Sequence, residues 1–432
     1  MKTSYFFTKT MAVAFLFMFA LSFGTNAQQA TIDGIVYQVT EEGYAETTHL
    51  PKDGDTHVPY TAETITIPAK VTIGGAEYPV KKIGNNSMRE NPNLKSVSLP
   101  DGLEIIGNSS FAQCSELKEV AVPASVKSIE DWSFYACTKL EKINIPDGVT
   151  AITEHTFQQT GLTEIELPAS VKSLKVCAFQ DASKLASINL ENITEIVGWA
   201  LYGTAIESAD IANVFSIGGE AFRKCPNLEK VTFENVTSIG GWSFEGCPKL
   251  TSIDFGTVET IEVGAFSGCS ALASITIPSS VLFIDGWAFE KTGLTEVFAS
   301  WEDPAGEAFI DDYAFGADEG RPNFTWKVPE AFKAAYGDEY LGFPVEVGEP
   351  NDSSNEHING GRQANVYYAN GILAVSDLEG YRASVYTLNG QVIAQFIING
   401  NNCSKPLLLT PGIYIFNAVN GNSSAAAKFI VK

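Results

Sequence analysis

Apolar and polar positions alternate in short bursts along most of this chain, and the bursts return at a nearly fixed distance. Aligned on one recurring large apolar residue, the sequence offers Met88, Phe111, Phe134, Phe157, Phe179, Leu201, Phe222, Phe244, Phe266, Phe289 and Phe315. Of the ten steps between these eleven anchors, eight are 22 or 23 residues, one is 21 and the last is 26. Around each anchor the text approximates I-G-x-x-A-F-x-x-C/T-x-x-L-x-x-I-x-I-P-x-x-V, as in "IGGEAFRKCPNLEKVTF" and "IEVGAFSGCSALASITIP". The L-x-x-I-x-I portion has the two-residue period of a half-buried strand. Proline closes it at Pro100, Pro123, Pro146, Pro168 and Pro278, because proline brings no N–H to a ladder. A glycine after the next isoleucine, as at Gly107, Gly218 and Gly240, is expected to permit a sharp turn. One unit cannot cover its own apolar face, so successive units must stack in parallel around a shared core. The pattern therefore predicts a mainly β chain dominated by a solenoid of about eleven rungs.

These units resemble the BspA-type leucine-rich repeat of bacterial surface antigens. The flanks agree: "IDGIVYQVTEEGYAE" with "ETITIPAKVTIGGAEYPVKKIG" is similar to the N-terminal cap of such proteins, and "KVPEAFKAAYGDEYLGFPVEV" to their closing helix and strand. The cap is assigned to residues 28–82 and the repeats with their C-terminal cap to 83–347. The resemblance implies a surface protein that adheres to extracellular matrix proteins or other cells.

The ends read differently from the repeats. Lys2 and Lys9 precede the apolar run "MAVAFLFMFALSFG", and "TNA" then supplies small residues before Gln28. This is the pattern of a secretory signal peptide over residues 1–27, too short an apolar run to span a bilayer. No later segment is apolar enough for a transmembrane helix, so the mature chain is expected to be exported. Residues 348–364, "GEPNDSSNEHINGGRQA" within them, have linker composition. Residues 365–432 carry short alternating strands, with "LNG" at 388–390 as a hairpin turn, and predict a small β-sandwich. "VYTLNGQVI", "PGIYIFNAV" and the terminal "KFIVK" make this part similar to the type A C-terminal sorting domain of the type IX (Por) secretion system. That resemblance implies type IX machinery as a partner and the outer-membrane surface, or the medium, as the destination.

Charge narrows the partners. The 51 acidic against 28 basic residues give a net charge of −23, which argues against nucleic acid, whose phosphates need a basic footprint.

Candidate chemistry is sparse. Cys114, Cys137, Cys225, Cys247 and Cys269 all stand three residues after an anchor, where Thr160, Thr204 and Thr292 stand in other rungs. A repeated small position reads as a buried ladder, and stacked parallel Cβ vectors suit disulfides poorly. Cys177 and Cys403 fall outside it. His49, His57, His155 and His357 lie in no metal-ligand pattern, and "DGD" at 53–55 lacks the rest of a calcium loop. The pairs Glu41–Glu42, Asp53–Asp55 and Asp311–Asp312 read as solvated acids rather than a glycosidase dyad, which needs two acids across a cleft. On the strand face, Glu119, Lys142 and Glu164 are expected to pair across rungs. No catalytic residue, metal or cofactor is assigned. The remaining candidates are Trp132, Trp199, Trp242, Trp287 and Tyr313, all two residues before an anchor. Other rungs put Ser109, Glu220 or Gly264 there, so the position is expected to be partly exposed and the aromatics to form an interrupted contact stripe. The competing reading is that each indole lies flat on the neighbouring rung as packing. Function then reads as a binding module for extracellular protein or glycan, with a structural spacer or a glycan-active enzyme as alternatives.

Overall fold

A computed structural model describes residues 28–50, 59–302, 304–317 and 320–348. In the last part of the chain it describes 362–363, 365–369, 372–376, 380–387, 392–398, 402–407, 409–410, 412–420 and 423–431. The signal-peptide residues 1–27, "DGD", His57, His357, most of the linker and the "LNG" turn lie outside the described residues. The chain divides into two compact units, Met1–Pro350 and Asn351–Lys432.

The first unit opens with antiparallel strands Gln29–Ile32, Ile35–Val39 and Ala45–Thr48. Strand Ala76–Ile83 turns this cap into the solenoid. It pairs antiparallel with Lys70–Ile73, and parallel with both Ala45–Thr48 and the first rung strand Ile105–Ile106. From there each rung contributes two short strands, except that one rung has only the bridges Lys230–Ser252 and Asp254–Thr276 in place of its first strand. One is the expected strand, such as Glu119–Val120 or Ser208–Asp210. The other is a two-residue strand just before the anchor turn, such as Ser128–Ile129 or Ser238–Ile239. The second kind forms the longer ladder, running from Ala151–Ile152 through eight rungs to Phe309–Ile310.

The prolines do close the first strand, and their carbonyls then start the turn. Val126, Val149, Val171 and Val281 each return an N–H to the proline three residues earlier at 3.0–3.1 Å. The glycines have a different cause from the expected one. Gly107 and Gly240 do not have positive φ; a Cβ on either would meet the carbonyl of Ile83 or Ile217 at 2.5 Å. Close approach of the preceding rung, not a turn, excludes a side chain there.

The core follows the repeat. Phe111, Phe134, Phe157 and Phe179 are fully buried and stack ring on ring at 5.4–5.7 Å. A second run continues from Phe222 to Phe315 at 5.2–5.5 Å, and Leu201 interrupts the two. Strands Thr325–Val328 and Phe343–Val347 close the C-terminal end of the first ladder, with Trp326, Phe324 and Phe343 packed over Phe315.

The second unit holds a five-stranded and a three-stranded sheet. Leu373 and Val375 of one, with Ala383, Val385, Tyr414, Phe416 and Ala418 of the other, bury one small core.

Candidate functional site

Two residues before the anchor, the backbone passes through the left-handed region. Ser109, Trp132, His155, Cys177, Trp199, Glu220, Trp242, Gly264 and Trp287 have φ between 53° and 63°. The hydrogen bonds explain why. Trp132, Trp199, Trp242 and Trp287 send their N–H across to the next rung, at 2.7–3.2 Å, while the residue after each tryptophan turns back within its own rung, as Ser133 does to Glu130 at 3.3 Å. Neighbouring amides pointing opposite ways need this left-handed step, which costs a non-glycine residue about 1–2 kcal/mol.

The side chains at this position divide. Trp199, Trp287 and Tyr313 are 40%, 42% and 55% exposed, whereas Trp132 and Trp242 are half-buried. Trp132 stacks on His155 at 3.7 Å and meets the edge of Tyr135 at 5.0 Å. Trp242 lies over Gly264, whose missing side chain makes the slot: a Cβ there would come 2.3 Å from the indole. The Arg223 guanidinium covers the same indole at 5.9 Å, held in turn by Glu220 and Glu245. Trp287 and Tyr313 lie near-parallel at 6.4 Å. Of the five candidates the fold thus brings Trp287 and Tyr313 together. It leaves Trp132, Trp199 and Trp242 two or three rungs apart, roughly 10–15 Å. Packing on the next rung is present at Trp132 and Trp242, and open ring surface at Trp199, Trp287 and Tyr313.

A cleft of about 390 Å³ opens on the strand face, lined by Ser96, Val97, Glu119, Val120, Ala121, Lys142, Ile143 and Asn144. Glu119 and Lys142 are in register, yet the expected ion pairs with each other and with Glu164 are not among those formed. The pairs run in other columns instead. Glu104 sits between Lys81 at 2.7 Å and Lys127 at 2.9 Å, whose hydrogen bonds hold its carboxyl down at about 2. On the strand face itself an ion pair forms further along, where Lys327 lies 2.7 Å from Glu346 and 3.7 Å from Glu296.

The cysteine column is structural. All five thiols donate to the anchor carbonyl of the preceding rung at 3.1–3.2 Å. Thr160, Thr204 and Thr292 donate to their own anchor at 2.8–2.9 Å. Cys114, Cys137, Cys177, Cys225, Cys247 and Cys269 are buried and unbridged, and burial pushes Cys114 and Cys269 up to about 12. Thiols held neutral this way are poor nucleophiles and ligands. Among the described residues no group of three or more His, Cys, Asp and Glu is placed to hold a metal ion. No described helix is long and apolar enough to cross a membrane.

Periodicity missed three exposed apolar residues: Phe215, Leu282 and Phe309, at 61%, 51% and 58% exposure. The signal was present. Phe215 and Leu282 stand two residues before a buried ladder isoleucine, where other rungs carry Lys127, Lys172, Thr194, Thr237 or Glu259.

Comparison with known proteins agrees with this architecture. A family model described as "BspA type Leucine rich repeat region" matches residues 81–207 and 194–318, in six copies. No curated protein matches the chain. Among solved structures, a leucine-rich repeat protein from Bacteroides ovatus ATCC 8483 superposes with a TM-score of 0.50 at 20% identity, over 74% of this chain and 100% of that one. The pneumococcal vaccine antigen PcpA gives 0.45 at 18% identity, over 75% and 99%. A leucine rich cell surface protein from Faecalibacterium prausnitzii A2-165 gives 0.39 at 24%, over 76% and 96%. The first of these shows a shared fold.

Proposed function

The chain belongs to the BspA-type leucine-rich repeat family, and from that premise we propose that it is an exported, non-enzymatic surface protein whose solenoid binds extracellular protein or glycan. The observation that carries this reading is the open ring surface of Trp199, Trp287 and Tyr313. Trp199 and Trp287 stand on a left-handed backbone position that glycine fills without strain, as Gly264 does. A pure spacer has no use for large exposed rings there; a binder does, because aromatic faces take sugar rings and apolar side chains alike. Trp132, Trp199, Trp242 and Trp287, with Tyr313, form the contact stripe, the first and third contributing through one ring edge.

Export rests on the sequence pattern of residues 1–27 and on the last unit. Two sheets around one small core support reading residues 365–432 as a β-sandwich sorting domain handled by type IX machinery. The protein then reaches the outer-membrane surface or the medium.

The test of the stripe is a variant with all four tryptophans changed to alanine, compared with the wild type on an array of matrix proteins and glycans. Binding present in the wild type falls by about tenfold or more, as expected for aromatic contact residues. Unchanged binding, with the fold intact by circular dichroism, removes the stripe from the site.

A further inference from the structure

The solenoid's two ladders end differently. Strands Thr325–Val328 and Phe343–Val347 close the first. Among the described residues the second stops at Phe309–Ile310, which pairs backward with Phe283–Ile284. In that pairing Phe309 and Asp311 give their N–H groups to Leu282 and Ile284, both at 2.9 Å. One rung on, the equivalent acceptors are the Ala308 and Ile310 carbonyls. Among the described residues no hydrogen bond ends on either. The edge is also apolar. Phe309 is 58% exposed and stacks on Phe283 at 5.2 Å, and Leu282 beside them is 51% exposed. A ladder end whose carbonyls accept no hydrogen bond among the described residues, beside an exposed aromatic, is a template for strand addition.

Charge selects the occupant. Residues 250–320 contain 13 aspartates and glutamates and a single basic residue, Lys291. Asp312 and Glu259 are exposed near the edge, with Asp285 and Asp311 half-buried. A second copy of this chain would bring like charge to like charge. A cationic segment meets complementary potential.

We propose that this edge takes an extended, lysine- or arginine-bearing segment of a partner protein as one more parallel strand. Two of its amides, two residues apart, donate to the Ala308 and Ile310 carbonyls. An apolar or aromatic side chain between basic neighbours continues the Phe283–Phe309 stack. The site lies outside the tryptophan set, so it stands or falls separately from that reading.

The experiment measures binding of a fluorescent nine-residue peptide, alternating lysine with valine and a central phenylalanine, to the mature full chain by anisotropy. Four comparisons accompany it: a glutamate-for-lysine peptide, peptides N-methylated on alternate amides in either register, the variants Phe309→Lys and Leu282→Lys, and a soluble glycan panel. The expected result is binding that weakens with salt and is lost in the glutamate peptide. It should also be lost in one N-methyl register only, and weaken by about tenfold in either variant. Both substitutions are at exposed positions, and an unchanged thermal transition confirms the fold. Equal tolerance of both N-methyl registers overturns strand addition. Glycan binding at the patch without peptide binding, or self-association abolished by Phe309→Lys, overturns the polypeptide partner.

Discussion

At the scale of single residues, the cysteine column shows how a suggestive side chain becomes inert. Its sulfurs point along the stack to the anchor carbonyls, in a core that solvent does not reach. Cys114 and Cys269 therefore keep their protons up to about 12 in the folded chain, whereas an unfolded thiol ionises near 8.5. A raised folded value means that the contribution to stability is complete below roughly pH 8.5 and is lost as pH rises from there toward 12. By pH 10 the loss is about 2 kcal/mol per thiol, from 1.5 units at 1.36 kcal/mol each. Urea midpoints at pH 7 and pH 10, for wild type and for Cys114→Ala with Cys269→Ala, check this. The wild type should drop more steeply with pH than the double variant. Parallel slopes would mean that the thiols are hydrated or already ionised. Trp132 and Trp242 make the complementary case: both were read as contact surface, and both are packed against neighbours, Trp132 on His155 and Trp242 over Gly264 and under Arg223.

At the scale of elements, the rung is more than a strand and a turn. Where the first ladder frays, asparagine replaces the peptide group. The Asn189 amide accepts from the Leu167 N–H at 2.7 Å and donates to the Leu167 carbonyl at 2.9 Å. Asn144 does the same for Val122, at 2.8 Å both ways. Replacing Asn189 with alanine strands both backbone groups of a buried residue, so a loss of about 1–3 kcal/mol is expected in urea unfolding. Amides of the neighbouring rungs should lose hydrogen-exchange protection first. A shift within error would reduce the asparagine to decoration. The anchors, the first strand, the proline stops and the thiol column were all legible in the sequence, because each repeats a residue type at one spacing. The second ladder was not, since two-residue strands such as Ser128–Ile129 are too short to display alternation. Nor was the left-handed step, because residues as different as Trp199, Glu220 and Ser109 occupy it. The register of Glu119 with Lys142 followed correctly from the spacing, but the ion pair is not among those formed. The exposure of Phe215, Leu282 and Phe309 was readable only as an exception to the column each stands in.

At the scale of the whole molecule, the described residues form two separate hydrophobic clusters. One hydrophobic cluster runs from Ile35 to Val345 and the other from Leu373 to Ala418. The stack of the first is closed by its own strands, from the antiparallel cap at Gln29–Thr48 to Phe343–Val347. Stability in such a stack is a sum over rungs and their interfaces, and among the described residues the core cluster of the stack lies before residue 350. Removing residues 365–432 should therefore leave the thermal transition of the solenoid within about 2 °C of the full chain's, since its described core cluster ends at Val345. Its export should change completely if those residues are the type IX address. In a host with that machinery, the truncated chain is expected in the periplasm and the full chain at the surface or in the medium, by fractionation and protease accessibility. Surface arrival of the truncated chain would move the address elsewhere. A lower transition temperature would mean instead that the second unit supports the first.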